Sequence, residues 1–307
     1  MKVLKFGGTS VGSAEGVASL ITIVKTGRQH HQLVLVVSAL SGVTDALAGW
    51  LADAPAAVDP DAALRHLYTR HHVLASGVLR RPALRRYEAQ LQEMLAQYAP
   101  LLTQLSARCP SADLRDAVLA IGERLSAPLV AAALRDAGVP AASQDAAALV
   151  RTDSSFGHAV VDTSVTRQQV ADWRARLSSD GVPVVTGFIG ADAEGRTTTL
   201  GRGGSDYSAA LLAQALDAHL LERWTDVRGL YTADPAQDTT AQPIQQLDLP
   251  DAQALARSGH LGMHPQAFDP LVAGNIPLHV RCTRAPTETG TLVVPVGFTQ
   301  RITSLAS

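Results

Sequence analysis

Two hydrophobic periodicities divide the chain. Residues 3–6 form a short apolar run stopped by Gly7 and Gly8, and residues 33–37 (LVLVV) form a second run with no polar alternation. Unbroken apolar runs of this length mark strands buried on both faces, as in a parallel sheet. Residues 13–25 between them read as a helix, so the chain opens on a βαβ unit. Residues 182–189 (VPVVTGFI) predict another buried strand, residues 220–224 and 278–282 two more, and residues 291–294 an edge strand. Residues 60–137 differ. They are rich in Ala, Leu, Gln and Arg, with apolar side chains such as Leu84, Tyr87, Leu91 and Leu95 at helical spacing. They predict three or four core-packed helices, broken at Pro82, Pro100 and Pro110. Strands followed by helices throughout predict an α/β fold with an open, mainly parallel sheet sandwiched by helices. A turn at residues 191–195 divides a single domain into an N-terminal lobe (1–195) and a C-terminal lobe (196–307).

Composition narrows the class. The 307 residues are 46% hydrophobic and 18% charged, enough apolar content for a sizeable core and too much for wholesale disorder. A net charge of −2 carries no basic excess, which argues against nucleic acid or an anionic membrane surface as the main partner. Two cysteines, Cys109 and Cys282, exclude a disulfide framework and a cysteine zinc cluster, and fit a reducing cytoplasm. The first residues do not read as a signal peptide, and no run reaches the roughly 18 apolar residues of a membrane span. His30-His31 and His71-His72 have no partners at ligand spacing, so no protein-held metal is expected.

Four segments carry candidate chemistry. In Lys5-Phe6-Gly7-Gly8-Thr9-Ser10 a strand gives way to a helix. Its glycines allow close backbone approach, its amides attract anions, and Lys5 adds a point charge. The alternative is a plain glycine turn with a surface lysine. The segment is not a Walker A loop. Ser38-Ala39-Leu40-Ser41-Gly42-Val43-Thr44-Asp45 follows the strand LVLVV, at the carboxyl end where open α/β sheets bind ligands, though an N-cap explains it equally. Residues 199–208, TLGRGGSDYS, combine three glycines with Arg202, Ser205 and Asp206 ahead of an apolar helix. Such a loop can wrap phosphate oxygens with amides while the arginine forks onto a carboxylate or phosphate, though Ser205 and Asp206 serve equally as helix caps and Asp206 as an ion pair to Arg202. Residues 224–235, WTDVRGLYTADP, place a hydroxyl, a carboxylate and an aromatic after a strand, a mix that suits an adenosine pocket and equally a strand-end turn with a core tyrosine.

Taken together and in this order, KFGGTSV at 5–11, SALSGVTD at 38–45, GFIG at 187–190, TLGRGGSDY at 199–207 and WTDVRGLYTADP at 224–235 resemble the catalytic domain of the aspartate kinases, in the amino acid kinase family. The resemblance runs from Lys5 to about Val294. It implies transfer of the γ-phosphoryl group of Mg-ATP to the side chain of L-aspartate, with the amino acid on the N-terminal lobe and the nucleotide on the C-terminal lobe. By position, Lys5 neutralises the transferring group beside Gly7, Gly8 and Thr9, and Gly203 and Gly204 belong to the phosphate loop. Ser38, Ala39 and Thr44 line the aspartate and phosphate site. Glu123 takes the α-ammonium and Arg202 the α-carboxylate. Phe188 packs on the substrate with Ser205 near it, and Asp206 orients Lys5. Thr225, Asp226 and Tyr231 hold the nucleotide. Mg²⁺ arrives with ATP, and a homodimer is implied by family analogy alone. The implied activity feeds lysine, threonine or methionine synthesis, or a specialised route that uses activated aspartate.

The chain departs from the family pattern at two cationic positions. Ala236 stands where the family usually has arginine, and Leu261, in Gly259-His260-Leu261-Gly262-Met263-His264-Pro265, stands where it has lysine. At about 1.5–3 kcal/mol for each hydrogen bond to a charged group, their loss weakens nucleotide binding by orders of magnitude unless another cation, such as Arg228, compensates. The chain also ends at Ser307, before the regulatory modules common in the family, so an enzyme without lysine or threonine feedback is expected. Two other readings stay open: a kinase for an aspartate analogue, and a degenerate fold that binds without turnover.

Overall fold

The computed structural model describes residues 1–52, 59–107, 110–233, 238, 240–259 and 261–297. The chain opens with β1 (Lys2–Phe6), α1 (Gly8–Val11), α2 (Ala14–Gly27), β2 (Leu33–Val37) and α3 (Val43–Ala52). The helical segment holds α4 (Pro60–Val78), α5 (Arg81–Ala107), α6 (Ala112–Leu119) and α7 (Ile121–Asp136). Then come β3 (Ala141–Gln144), α8 (Thr163–Arg174), β4 (Val182–Thr186) and the hairpin of β5 (Ile189–Ala191) with β6 (Thr197–Thr199). Next are α9 (Gly204–Ala215), β7 (Leu220–Thr225) and the pair β8 (Leu230–Tyr231) and β9 (Pro243–Ile244). The chain continues through β10 (Gln246–Asp248), α10 (Leu249–Arg257), α11 (Asp269–Gly274), β11 (Leu278–Cys282) and β12 (Thr291–Val294).

Among the described residues, eight strands form one sheet in the order β10-β12-β11-β7-β1-β2-β4-β3. The strands from β11 to β3 pair in parallel, and β12 turns antiparallel to β11. Residues 1–195 and 196–307 therefore share one sheet, joined where β1 pairs with β7. Alternate side chains of the central strands feed two cores. Leu4, Phe6, Leu33, Leu35 and Val37 pack with α2, α4, α5 and α7, whereas Val3, Val34 and Val36 pack with α9, α10 and α11. Each fully buried Leu, Val or Phe contributes about 1.5–3 kcal/mol relative to exposure, which is why strands buried on both faces carry no alternation. The helical stretch Ala112–Asp136 is long and apolar enough to cross a bilayer, but 83% of its apolar window is buried in the fold, where it packs against the sheet.

Three sequence expectations change. Residues 182–189 are not one strand: β4 ends at Thr186, the chain turns at Gly187 and Phe188, and β5 joins a separate hairpin. The strand at residues 291–294 is not an edge strand, because the short polar β10 pairs outside it. Pro100 does not break a helix but sits inside α5. Proline removes an amide and crowds the carbonyl four residues earlier. Pro100 and Ala96 both lie on the exposed side, so water can satisfy that carbonyl.

A buried carboxylate joins the helical segment to the loops that follow. Asp116 on α6 accepts the Gly157 amide at 2.9 Å and the Thr199 amide at 2.7 Å on Oδ2, and the Thr199 hydroxyl at 3.0 Å on Oδ1. Burial pushes its carboxyl up, and these three donors oppose that rise. Thr199 leads directly into the glycine loop at residues 201–204, so this clamp fixes where that loop starts. Asp116→Ala strands the buried Thr199 amide and hydroxyl and is expected to cost about 3 kcal/mol. A urea unfolding midpoint no lower than wild type would contradict this account.

Candidate active site

A cleft of about 510 Å³ opens at the carboxyl ends of β1, β2 and β7. Backbone bonds hold these ends together: Gly7 donates to the Trp224 carbonyl at 3.2 Å, Ser38 to the Phe6 carbonyl at 3.2 Å, and Ser41 to the Gly8 carbonyl at 3.1 Å. Gly8 is required by that closeness, since a Cβ there would lie 2.8 Å from the Ala39 carbonyl oxygen. The cleft brings together Lys5, Gly7, Gly8, Thr9, Ser38, Ala39, Thr44, Glu123, Phe188, Arg202, Gly203, Gly204, Ser205, Asp206 and Thr225. Asp226, Arg228 and Tyr231 do not line it. Asp226 is exposed and accepts from the Thr225 hydroxyl at 3.1 Å. Tyr231 is half-buried in the β8–β9 pair. Arg228 is 69% exposed and pairs with Glu288 at 3.1 Å.

Charge in the cleft centres on Asp206, in the first turn of α9. Its Oδ1 is 2.8 Å from Lys5 Nζ and its Oδ2 is 3.2 Å from Arg223 Nε, with both cations largely buried. Burial alone would raise this carboxyl, but Arg223 and Lys5 beside it prevail and hold it below the usual range. The resulting stability is present above the unfolded Asp value of about 3.9 and is lost as pH falls through the lower folded value.

The amino-acid side of the cleft has a different character. Glu123 on α7 is buried, and its Oε1 accepts the Ala39 amide at 3.1 Å. Its Oε2 has no partner among the described residues. Burial pushes the carboxyl up to about 7, against the opposing pull of the Ala39 amide and the more distant Lys5. A buried, half-satisfied carboxylate of this kind gains strongly from a cation placed against it. Arg202 stands exposed at the rim. Phe188 adopts a left-handed backbone with φ of 69°, its amide donating to the Ser208 hydroxyl at 2.9 Å. Left-handed backbone in a bulky residue is costly and collects at functional sites.

Sequence reading missed Arg223, and the signal was present: a charged pair, Glu222 and Arg223, inside an otherwise apolar buried strand. It also missed Asp116, which looks like any polar residue on an amphipathic helix. Of the departures from the family pattern, Leu261 is buried in the core beside Met263. Ala236 lies outside the described residues. Among the described residues, no three His, Cys, Asp or Glu side chains converge as a metal cluster would.

The fold and cleft define an α/β protein with an anion-attracting site at the carboxyl edge of a mainly parallel sheet. The chain belongs to the amino acid kinase family, whose family model matches residues 1–282. It is 34% identical over 293 residues to the lysine-sensitive aspartokinase 3 of Escherichia coli (strain K12), covering 95% of this chain and 63% of that protein. It is 33% identical to the aspartokinase of Chlamydia trachomatis, covering 95% and 64%. Its structure resembles E. coli aspartokinase III in complex with aspartate and ADP, with a TM-score of 0.87 and 32% identity over 98% of this chain and 65% of that one. The chain thus spans less than two thirds of the length of these relatives.

Asp206→Ala leaves Lys5 and Arg223 facing each other without a counter-charge, and is expected to cost about 3–5 kcal/mol of stability. Adding Lys5→Met should recover part of the loss, because it removes one of the stranded cations. Unchanged thermal unfolding of Asp206→Ala would show that the ion cluster is not what holds α9 to the sheet.

Proposed function

We propose that this chain is an aspartate kinase, transferring the γ-phosphoryl group of Mg-ATP to the side-chain carboxylate of L-aspartate to give 4-phospho-L-aspartate and ADP. The observation that carries the reading is the pairing, in one cleft, of a buried half-satisfied carboxylate with a rim guanidinium, beside a buried lysine and a glycine loop. Glu123 suits an α-ammonium and Arg202 an α-carboxylate, which together select a free amino acid. The relative with aspartate and ADP bound supports the choice of ligands.

The chemistry demands little covalent work from the protein. The acceptor carboxylate is ionised at neutral pH, so no general base is needed. One carboxylate oxygen attacks the γ-phosphorus, the bond to the β–γ bridging oxygen breaks, and ADP leaves with the electron pair. The obstacle is repulsion between an anion and a polyanion. Lys5, held in place by Asp206, supplies a fixed positive charge, and Gly7, Gly8, Gly203 and Gly204 line the same space. The cleft's buried carboxylates are already engaged, Asp206 by two cations and Glu123 by an amide, so Mg²⁺ would be held chiefly by the nucleotide phosphates. On this reading residues 1–195 supply most of the amino-acid site and residues 196–307 most of the nucleotide site, with Thr225 at the cleft edge and Asp226 and Tyr231 outside it. A cytoplasmic setting and a role in amino-acid biosynthesis go with the same reading, supported by the low cysteine count and the named relatives.

Pure protein with Mg-ATP, L-aspartate and hydroxylamine should yield aspartyl hydroxamate and ADP only when both substrates are present. No product at saturating ATP would overturn the reading. Glu123 adds a pH signature. An ammonium binds its ionised form, and a carboxyl near 7 is about one tenth ionised at pH 6 and nine tenths at pH 8. The KM for aspartate should therefore rise about tenfold from pH 8 to pH 6. In Glu123→Gln the KM should be high and flat across that range, and a persisting slope would remove Glu123 from the role.

A further inference from the structure

We propose that Arg223 is a phosphate ligand of the nucleotide, a cation delivered to the cleft from strand β7. The inference rests on the kinase reading above and extends it to a residue that the family pattern did not mark.

Register places it there. Arg223 is the β7 partner of Lys5 on β1, so in a parallel pair the two side chains leave the same face of the sheet. That face is covered by α9, and both cations reach the two oxygens of Asp206. The guanidinium is also tied on its far side, where Nη2 donates to the Gly262 carbonyl at 2.9 Å. These contacts take two of its five N–H donors, one on Nε and one on Nη2. The other three have no acceptor among the described residues, and the side chain lines the cleft. Asp206 fixes the plane of the guanidinium without using it up, which is how a preorganised anion ligand is built.

Charge points the same way. Asp206 cancels only one of the two cations beside it, so the cluster stays net positive before any ligand binds. Two other cationic candidates do not supply this charge. Position 261 holds a leucine that packs into the core, and Arg228 is turned outward onto Glu288. The loop that carries Leu261 is the one whose Gly262 carbonyl holds Arg223. Lysine would reach a single phosphate oxygen as a point charge, whereas the fork of Arg223 can take two.

The test is calorimetric binding of Mg-ATP, ADP and adenosine to the whole chain, with Arg223→Met as the main variant. Removing one or two charged hydrogen bonds should weaken Mg-ATP and ADP by about 10- to 100-fold. Adenosine and L-aspartate should bind as in wild type, which a general collapse of the cleft would not allow. Arg223→Lys keeps the charge beside Asp206 and gives the same reading if the Met variant does not fold, with a smaller loss for the phosphorylated ligands only. Wild-type affinity for ADP and Mg-ATP in either variant would overturn the proposal and leave the kinase reading standing. Equal weakening of adenosine would reduce Arg223 to a packing role and also overturn it. No binding of Mg-ATP by the wild-type chain would overturn the kinase reading itself, and this proposal with it.

Discussion

The ion cluster of Lys5, Asp206 and Arg223 is the constraint on which the cleft depends. Taking three charges out of water costs several kcal/mol per ion, and mutual attraction recovers this only when the geometry is good. Apolar side chains of similar size would hold α9 to β1 and β7 at lower cost. The cluster is therefore poorly explained as a stabilising device and well explained as a charge store. One carboxylate keeps two cations buried and close together, where they would otherwise repel. On the kinase reading, an arriving polyanion meets them already oriented, with little reorganisation left to do. Strand β7 shows how the sheet tolerates this. Its neighbouring residue Glu222 faces the opposite side, where Lys2 lies at 3.5 Å and the Trp224 indole donates at 3.0 Å. Each charge that β7 buries has a counter-charge on its own face.

The rest of the site is assembled by loops that are pinned from below. Asp116 sets the start of the glycine loop, and Gly203 at φ of 72° turns that loop into α9. A Cβ at Gly203 would lie 2.5 Å from His264 Cβ, so the glycine loop and the loop carrying Leu261 are packed backbone to side chain. Glu123 performs the same service for the β2 end, since its bond to the Ala39 amide ties α7 to the loop after β2. Its second oxygen has no hydrogen-bond partner among the described residues. The two halves of the cleft are thus tuned oppositely. One presents a carboxylate poised near neutrality, and the other presents fixed positive charge.

Much of this was legible in the sequence, for a physical reason. Runs such as LVLVV are apolar on both faces only when a sheet is covered on both sides, so the central strands and the layered fold follow directly. The glycine segments at 7–8 and 203–204 stand out because backbone that must approach a ligand, or adopt positive φ, excludes other residues. The outer strands were harder. β10 is three mostly polar residues, and its place in the sheet is set by pairing with β12, not by any pattern of its own. The split between β4 and β5 depends on Phe188 taking a left-handed conformation that no local propensity favours. Arg223 was legible as an anomaly in a buried strand but not as a neighbour of Lys5, because that contact is made by the register of strands more than 200 residues apart in sequence.

Position by position, Leu261 looks like a lost cation, and losing a cation from a polyanion site looks like decay. In three dimensions the relevant quantity is charge within reach of the ligand, not charge at one place in the chain. A loop lysine and a strand arginine can serve the same volume if the loop and the strand touch, and here they do, through the Gly262 carbonyl and Nη2 of Arg223. Once a side chain at 261 turns inward, a leucine gains core packing there that a lysine could not. A cation on β7 then has to be counter-charged to survive burial, and Asp206 was already in place to hold Lys5. The loop of Leu261 and strand β7 thus meet at one guanidinium, and the electrostatics of the cleft follow from the sheet register that brings Arg223 to it.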